Sequence, residues 1–345
     1  MTATMIDTQV RWHLHPSCPA DWSAHIELCG GGFFHSPAGL AASGEQGEPF
    51  FAELREGSRV LGIAAGIQRR CRVPPLPQHT HLPTPPVLAP GDLPMSWAVE
   101  ALVDAARTAE WADLTIDSFE ADGEIPIEAG ATRLHARHEY DIPLAGTPND
   151  LLGRLSAHHR RRLREGGDWT LHTLSGGDAR ALVLEVTSSA QDRASNRRGV
   201  AYDVTLPPIE AFREDPAWGL TTYAVMNGGQ ALSAALVGWA GKRAYYVSGG
   251  STPDGYAHNA SVWLHFQIAL AFQSAGFRHY CLGGAPASAA DPADSSHGLH
   301  RFKTGFGALV RPCAGARWVL GVEHDAGHRF TRWLRNHFTR AKETA

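Results

Sequence analysis

The chain runs twice through the same order of elements, a strand hairpin, a helix and a returning strand, and this repetition is the strongest constraint on its fold. In the first pass, Pro49 to Leu54 and Val60 to Ile67 are apolar runs on either side of Arg55-Glu56-Gly57-Ser58, which predicts a hairpin. Val99, Leu102, Val103 and Ala106 then recur at helical spacing, and Asp113 to Asp117 returns as a strand. In the second pass, Leu220 to Met226 and Ala231 to Trp239 flank Asn227-Gly228-Gly229, residues that tolerate the positive φ of tight hairpin turns. A third strand, Arg243 to Ser248, follows. Trp263, Phe266 and Leu270 mark a helical face that ends at Gly276, and Phe277 to Leu282 closes the unit as a strand. The segment from Val73 to Pro94 is dense in prolines, which predicts a surface excursion and no interior strand.

A length of 345 residues suits two domains of about 150 residues each. The seam is expected at Thr147-Pro148-Asn149-Asp150, a helix start with a hydroxyl N-cap, Pro at N1 and an acid in the first turn. The domains are therefore 1–146 and 147–345, in a mixed α/β fold with a mixed sheet flanked by helices in each. The helix opened at the seam is expected to carry the run His158-His159-Arg160-Arg161-Arg162-Leu163-Arg164. A further helix spans Asp178 to Ser189, followed by a polar loop through Gly199. A last helix, about His328 to Lys342, gathers Phe330, Trp333, Leu334 and Phe338 on one face.

Composition narrows the function by exclusion. Hydrophobic residues at 43% and charged residues at 19% are ordinary for a globular protein, which sets disorder and fibrous repeats aside. A net charge of −4 argues against a surface that grips nucleic acid throughout, though a local basic patch is compatible with it. No apolar run approaches the roughly 18 residues of a membrane span, and the start lacks a signal-peptide pattern, so a cytoplasmic location is expected. Five cysteines without a C-x-x-C pair give neither a disulfide framework nor a zinc site. The paired histidines His13/His15, His79/His81 and His297/His300 lack the spacing of specific metal motifs, and no metal is expected.

Three groups of strings carry a resemblance. One is Gly30-Gly31-Gly32-Phe33-Phe34-His35-Ser36-Pro37. Another is Tyr140-Asp141-Ile142-Pro143-Leu144 followed by the basic run from His159 to Arg164. The third joins Tyr245-Tyr246-Val247-Ser248-Gly249-Gly250, the helix to Gly276, Tyr280-Cys281-Leu282-Gly283-Gly284 and Arg301-Phe302-Lys303-Thr304-Gly305-Phe306-Gly307. In this order they resemble the Fem family of the GNAT superfamily over nearly the whole chain. Glu165-Gly166 departs from the pattern, since relatives commonly carry a basic residue and Ala there. The resemblance implies two tandem GNAT-like domains and transfer of an activated acyl or aminoacyl group to an amine.

Such transfer needs an unprotonated amine aligned on a carbonyl and a stabilised oxyanion, which positioning and backbone donors supply. The chain has no G-x-S-x-G elbow, so no hydrolase triad is expected. The resemblance implies that Lys303 presents its charge to a phosphate or oxyanion and that Phe302 walls a channel. From the residues alone, a surface lysine in a weak salt bridge is the favoured reading of Lys303, and Phe302 is either a wall or core. Arg193, Arg197 and Arg198 sit where the family faces a phosphorylated substrate, and guanidinium forks suit phosphate; a solvated loop is the alternative. Arg164 is open in the same way. Tyr246 and Ser248 alternate along a strand and are expected to share a cleft-lining face.

No tightly bound cofactor is expected. The R/Q-x-x-G-x-G/A turn that holds coenzyme A in ordinary GNAT enzymes is absent from the sequence. This favours aminoacyl-tRNA as donor, with an acyl-coenzyme A as the alternative. The acceptor is then an amine-bearing peptide, muropeptide or small metabolite. A non-catalytic binding module on the same fold is the remaining reading.

Overall fold

A single mixed sheet of thirteen strands runs through the protein, whose computed structural model describes residues 10–69, 78–126, 130–198, 206–207 and 216–320. The first half contributes β1 (Val10–His15), β2 (Glu48–Glu56), β3 (Arg59–Arg69), β4 (Gln78–Leu82), β5 (Val87–Leu88), β6 (Trp111–Ile116) and β7 (Ala131–Pro143). Its helices are α1 (Trp22–Cys29), α2 (Pro37–Ala42) and α3 (Met95–Thr108). The second half holds α4 (Pro148–Arg154), α5 (Ala157–Arg164), β8 (Thr170–Leu174), α6 (Gly176–Arg198), β9 (Trp218–Asn227), β10 (Gln230–Ala240) and β11 (Arg243–Ser251). It continues with α7 (Pro253–Ala257), α8 (Ala260–Ser274), β12 (His279–Pro286), α9 (His297–Thr304) and β13 (Leu309–Val319). The fold is mixed α/β. No helix among the described residues is long and apolar enough to cross a membrane.

The order across the sheet, β1-β2-β3-β4-β6-β13-β7-β12-β11-β10-β9-β8, mirrors itself about its centre. Only β4 with β6 and β11 with β12 pair in parallel on this path, and each pair is bridged by one long helix, α3 or α8. The last strands are exchanged. β6 pairs with β13 instead of β7, β12 pairs with β7 instead of β13, and the two exchanged strands pair with each other. Ala316 and Trp318 of β13 are thereby buried in the core that α3 closes.

α3 turns Ala98, Val99, Leu102, Val103 and Ala106 onto the sheet, and burying each large apolar side chain contributes about 1.5–3 kcal/mol. α8 is apolar on more than one side. Val262, Leu264, His265, Ile268, Ala269 and Phe272 are buried, while Trp263, Phe266 and Leu270, the helical face marked in the sequence, are half-buried. α4, α5 and α7 pack over this helix, which explains its lack of a polar face. Its C-terminus closes at Gly276, φ 76°, with Phe277 N–H donating to the Phe272 carbonyl at 3.0 Å.

Three expectations need correction. The proline-dense segment holds an interior strand: Gln78-His79-Thr80-His81-Leu82 is a proline-free window, and β4 pairs with both β3 and β6. The seam helix is two helices. Ser156 caps α5, its side chain accepting from His159 N–H at 3.2 Å, and its own N–H donates to the Gly305 carbonyl at 2.8 Å, a bond an unbroken helix would forbid. α6 continues through Asp192 to Arg198, where a loop was expected. The expected C-terminal helix, 328–342, lies outside the described residues.

Candidate active site

β11 and β12 pair only through Arg243↔His279, Ala244↔Tyr280 and Tyr245↔Cys281, then part. Just beyond, Val247 is extra in the ladder to β10: Val237 faces Tyr246 and Leu236 faces Ser248. Along β10, Ala235 and Val237 pack in the core with α8, whereas Ala234 and Leu236 pack with Val186 and Val183 of α6, so these helices cover opposite faces. The bulge therefore separates the two residues expected to share a face. Tyr246 sets its ring 4.8 Å from that of His265 on α8, while Ser248 Oγ lies 3.3 Å from Thr187 Oγ1 on α6.

Where β12 has lost β11, its carbonyls find another donor. Lys303 Nζ on α9 donates to the Gly283 and Gly284 carbonyls at 3.0 and 2.8 Å and stands 5.3 Å from the Tyr140 ring centre. Lys303 is only 5% exposed, and burial brings its pKa down to about 8. Nearby, buried Glu139 on β7 takes Arg137 at 2.6 Å, the Cys281 thiol at 3.0 Å and the Tyr245 hydroxyl at 3.5 Å. Burial raises the Glu139 pKa against the pull of Arg137, and it raises that of Cys281, which makes this thiol a poor nucleophile.

On the other side of α9 lies a cavity of about 910 Å³, walled among others by His158, His159, Asn259, Ser261, Arg301 and Phe302. The start of α8 borders it. Asn259 there adopts φ 56° and makes no side-chain cap, so N–H groups of the first turn have no side-chain acceptor. His159 is the buried wall residue. Its Nε2 lies 3.0 Å from the Phe302 carbonyl, its ring meets Phe306 edge-on at 4.5 Å, and burial pushes its pKa down to about 4. The ring is thus neutral, with the proton on Nε2 donated to the carbonyl and a lone pair on Nδ1 that has no hydrogen-bond partner. Gly305 makes room for it: a Cβ there would lie 2.4 Å from His159 Cε1.

The residues singled out from sequence thus divide. Phe302 walls the cavity and packs on the core, whereas Lys303 engages β12. Arg193 donates to Ser189 Oγ at 2.7 Å and to the Ser251 carbonyl at 2.8 Å, and lies 5.0 Å from the ring of Tyr256, another cavity residue. Arg197 and Arg198 fall in the last turn of α6, and their side chains lie outside the described residues. Arg164 borders a separate cleft with Leu163, Trp263 and Phe266. Glu165, the departure from the family pattern, pairs with Arg161 and Arg162. Asn259, Ser261 and Arg301 were not singled out, because nothing in their local sequence signals that the α8 start meets α9.

The paired histidines go to separate partners. His79 and His81 meet Asp113 and Asp117 at 3.0 and 2.9 Å, His15 meets Glu53 at 2.9 Å, and His300 meets the Tyr140 hydroxyl at 2.9 Å. Asp21, His25 and Glu53 form the one metal-type trio among the described residues. Asp21 lies at Nε2 and Glu53 at Nδ1 of His25, at 3.3 and 2.8 Å, on opposite edges of the ring.

Residues 156–303 match the family model of the acetyltransferase (GNAT) domain. No curated protein matches the chain. The structure is similar to that of FemX at 14% identity, covering 81% of this chain and 89% of that one, with a TM-score of 0.60. A tandem GNAT protein from the clavulanic acid biosynthesis pathway aligns at 14% identity over 90% of this chain and 99% of its own, TM-score 0.48. L-PGS from Bacillus licheniformis aligns at 14% identity over 89% and 93%, TM-score 0.45. The FemX likeness concerns the fold alone.

Proposed function

From its place in the GNAT superfamily, carried by the acetyltransferase domain and a fold shared with FemX, we propose that the protein is an N-acyltransferase joining an activated acyl group to an amine. The observation that carries this reading is the cavity where the α8 start, Arg301 and His159 meet, walled by α9 on the side away from its Lys303 contact with β12. The amine attacks the donor carbonyl, the C–N bond forms, and the tetrahedral oxyanion collapses with loss of the donor's leaving group. Backbone N–H groups at the α8 start suit an anionic donor group, and Arg301 adds charge. The amine's proton leaves to water in the cavity, because the Nδ1 of His159 is buried behind the wall and its ring, near pKa 4, is a weak base. Lys303 acts as a positioning residue, fastening α9, which walls the cavity, to the β12 carbonyls.

The donor we favour is an aminoacyl-tRNA, as in Fem-type enzymes, with an amine-bearing peptide, muropeptide or small metabolite as acceptor and with two tandem GNAT-like units dividing near residue 147. What supports this donor is the segment before α8. It is the short helix α7, whose Gly255 is so close to the Leu232 carbonyl that a Cβ would lie 1.8 Å away, and it is not a glycine-rich pyrophosphate turn. The uncapped α8 start favours a second reading, an acyl-coenzyme A donor whose phosphates dock there.

The test is to incubate the purified protein with a pool of charged tRNAs, and separately with acyl-coenzyme A thioesters, each with extract of the host, and follow donor loss by mass spectrometry. Acceptor-dependent deacylation of one tRNA species supports the first reading, and loss of a thioester supports the second. Silence from both, with the fold intact, refutes transfer and leaves a binding module.

A further inference from the structure

The mirror arrangement of the sheet puts a second cavity in the first half, past the ends of the parallel pair β4 and β6 and beside the start of α3. It measures about 230 Å³, and Pro86, Val87, Met95, Val99 and Ile125 give it an apolar lining. It shares no lining residue with the cavity at α9.

A buried carboxylate faces this lining. Glu120 is 6% exposed and adopts φ 57°. Its Oε2 accepts a long bond from Phe34 N–H, 3.4 Å, while Oε1 has no hydrogen bond. The site is shaped around this group. A Cβ on Gly32 would lie 2.1 Å from Glu120 Oε1, so only glycine lets the carboxylate stand there.

The surrounding charges favour a cation. His35, on the cavity wall, donates from Nε2 to the Pro85 carbonyl at 3.0 Å and accepts Gly32 N–H on Nδ1 at 3.2 Å; with burial holding its pKa at about 4, it adds no charge. Arg243 reaches Glu120 Oε1 only at 3.6 Å through Nε, and spends its terminal nitrogens on Asp122, both at 3.1 Å. Of the lining carboxylates, Asp122 is matched by Arg243 and Arg311 and Glu124 by Arg133, which leaves Glu120 without a close cationic partner. The Glu120 carboxylate opposes the anion that the start of α3 would otherwise attract.

We propose that this first-half cavity is a second ligand site, which takes a primary ammonium carried on a small apolar body and seats the ammonium against Glu120 Oε1. The ammonium supplies the donor that Oε1 lacks, and the apolar body replaces water along the lining. The site stands apart from the transfer cavity and does not depend on which donor that cavity takes.

Isothermal titration of the full chain at about pH 8 with n-pentylamine and benzylamine, against 1-pentanol and pentanoate, tests this. Both amines are expected to bind at least about tenfold more tightly than either control, and Glu120→Gln to remove that preference. Met95→Lys, which leaves Glu120 intact but places a tethered ammonium at the cavity, is expected to block the amines while the thermal transition persists. Amines that bind no better than pentanol or pentanoate, or that bind Glu120→Gln unchanged, overturn the proposal.

Discussion

Replacing Glu120 by Gln should stabilise the protein, and increasingly so as pH rises. Burial raises the Glu120 pKa from 4.5 to about 7, so folding disfavours its ionised form. Between these two values the folded chain holds a proton that the unfolded chain has released. Stability therefore falls as pH rises through this window, and the full cost is present above about pH 7. The gap corresponds to roughly 3 kcal/mol. Gln keeps the shape of the protonated acid and does not titrate. The stability difference between variant and wild type, from denaturant midpoints at a series of pH values, should grow by that order from about pH 4.5 to 7 and then level off. Taking the difference matters, because buried histidines titrate in the same range and cancel. A flat difference, or one that turns against the variant as pH rises, would refute the reasoning: Glu120 would then be ionised and paired with Arg243, and removing it would leave a buried cation uncompensated.

Other expectations follow from the same geometry. Gly305→Ala drives a methyl into the His159 ring and should lower stability by about 1–3 kcal/mol in a denaturant melt, with His159→Ala in the double variant removing most of the added cost; strict additivity would contradict the contact. Lys303→Met leaves the Gly283 and Gly284 carbonyls without their donor, and is expected to abolish transfer in the donor-loss assay while a melt still reports a folded chain; retained turnover would remove Lys303 from the site. Burial holds His35 and His159 near pKa 4 and His265 near 3, below the ordinary value of 6.5, so the folded state binds fewer protons than the unfolded one. The stability they contribute is complete above about pH 6.5, should fall as pH drops from there towards 4, and should level off below the folded values, read as the acid limb of the same melts.

Local signals told most of the second half, and they failed where distant segments meet. Asn227-Gly228-Gly229 marks its hairpin and Gly276 its helix end because turn chemistry acts over a few residues. β4 escaped notice because prolines on both sides dominate the composition of its segment, yet its five residues contain none. The break at Leu155 and Ser156 depends on a bond to Gly305, about half the chain away, and the bulge at Val247 depends on register with β10. The basic helix and the F-K-x-G-F-G string were both noticed, but not that His159 in one lies on Gly305 in the other. For Phe302 the sequence left wall and core open, and it both lines the cavity and packs on the core, whereas the engagement of Lys303 with β12 required knowing where β11 and β12 part.

The exchange of β7 and β13 ties the halves together more closely than the doubled sequence pattern implies. A fragment of residues 1–146 would keep β6 but lose β13, and with it the antiparallel ladder from Asp113 to Ile116 and the Ala316 and Trp318 side chains in the core under α3. It would also carry β7 without either of its partners, β12 and β13. An exposed pair of strand edges next to a core that has lost a tryptophan invites association. The fragment alone should therefore aggregate or self-associate, and co-expression with 147–345 should recover a soluble complex that elutes as one species on size exclusion. The competing outcome is specific: β7 could fold back onto β6 as a simple hairpin. A soluble, monomeric 1–146 fragment with a cooperative melt would mean that the exchanged strands are not needed to close the first half.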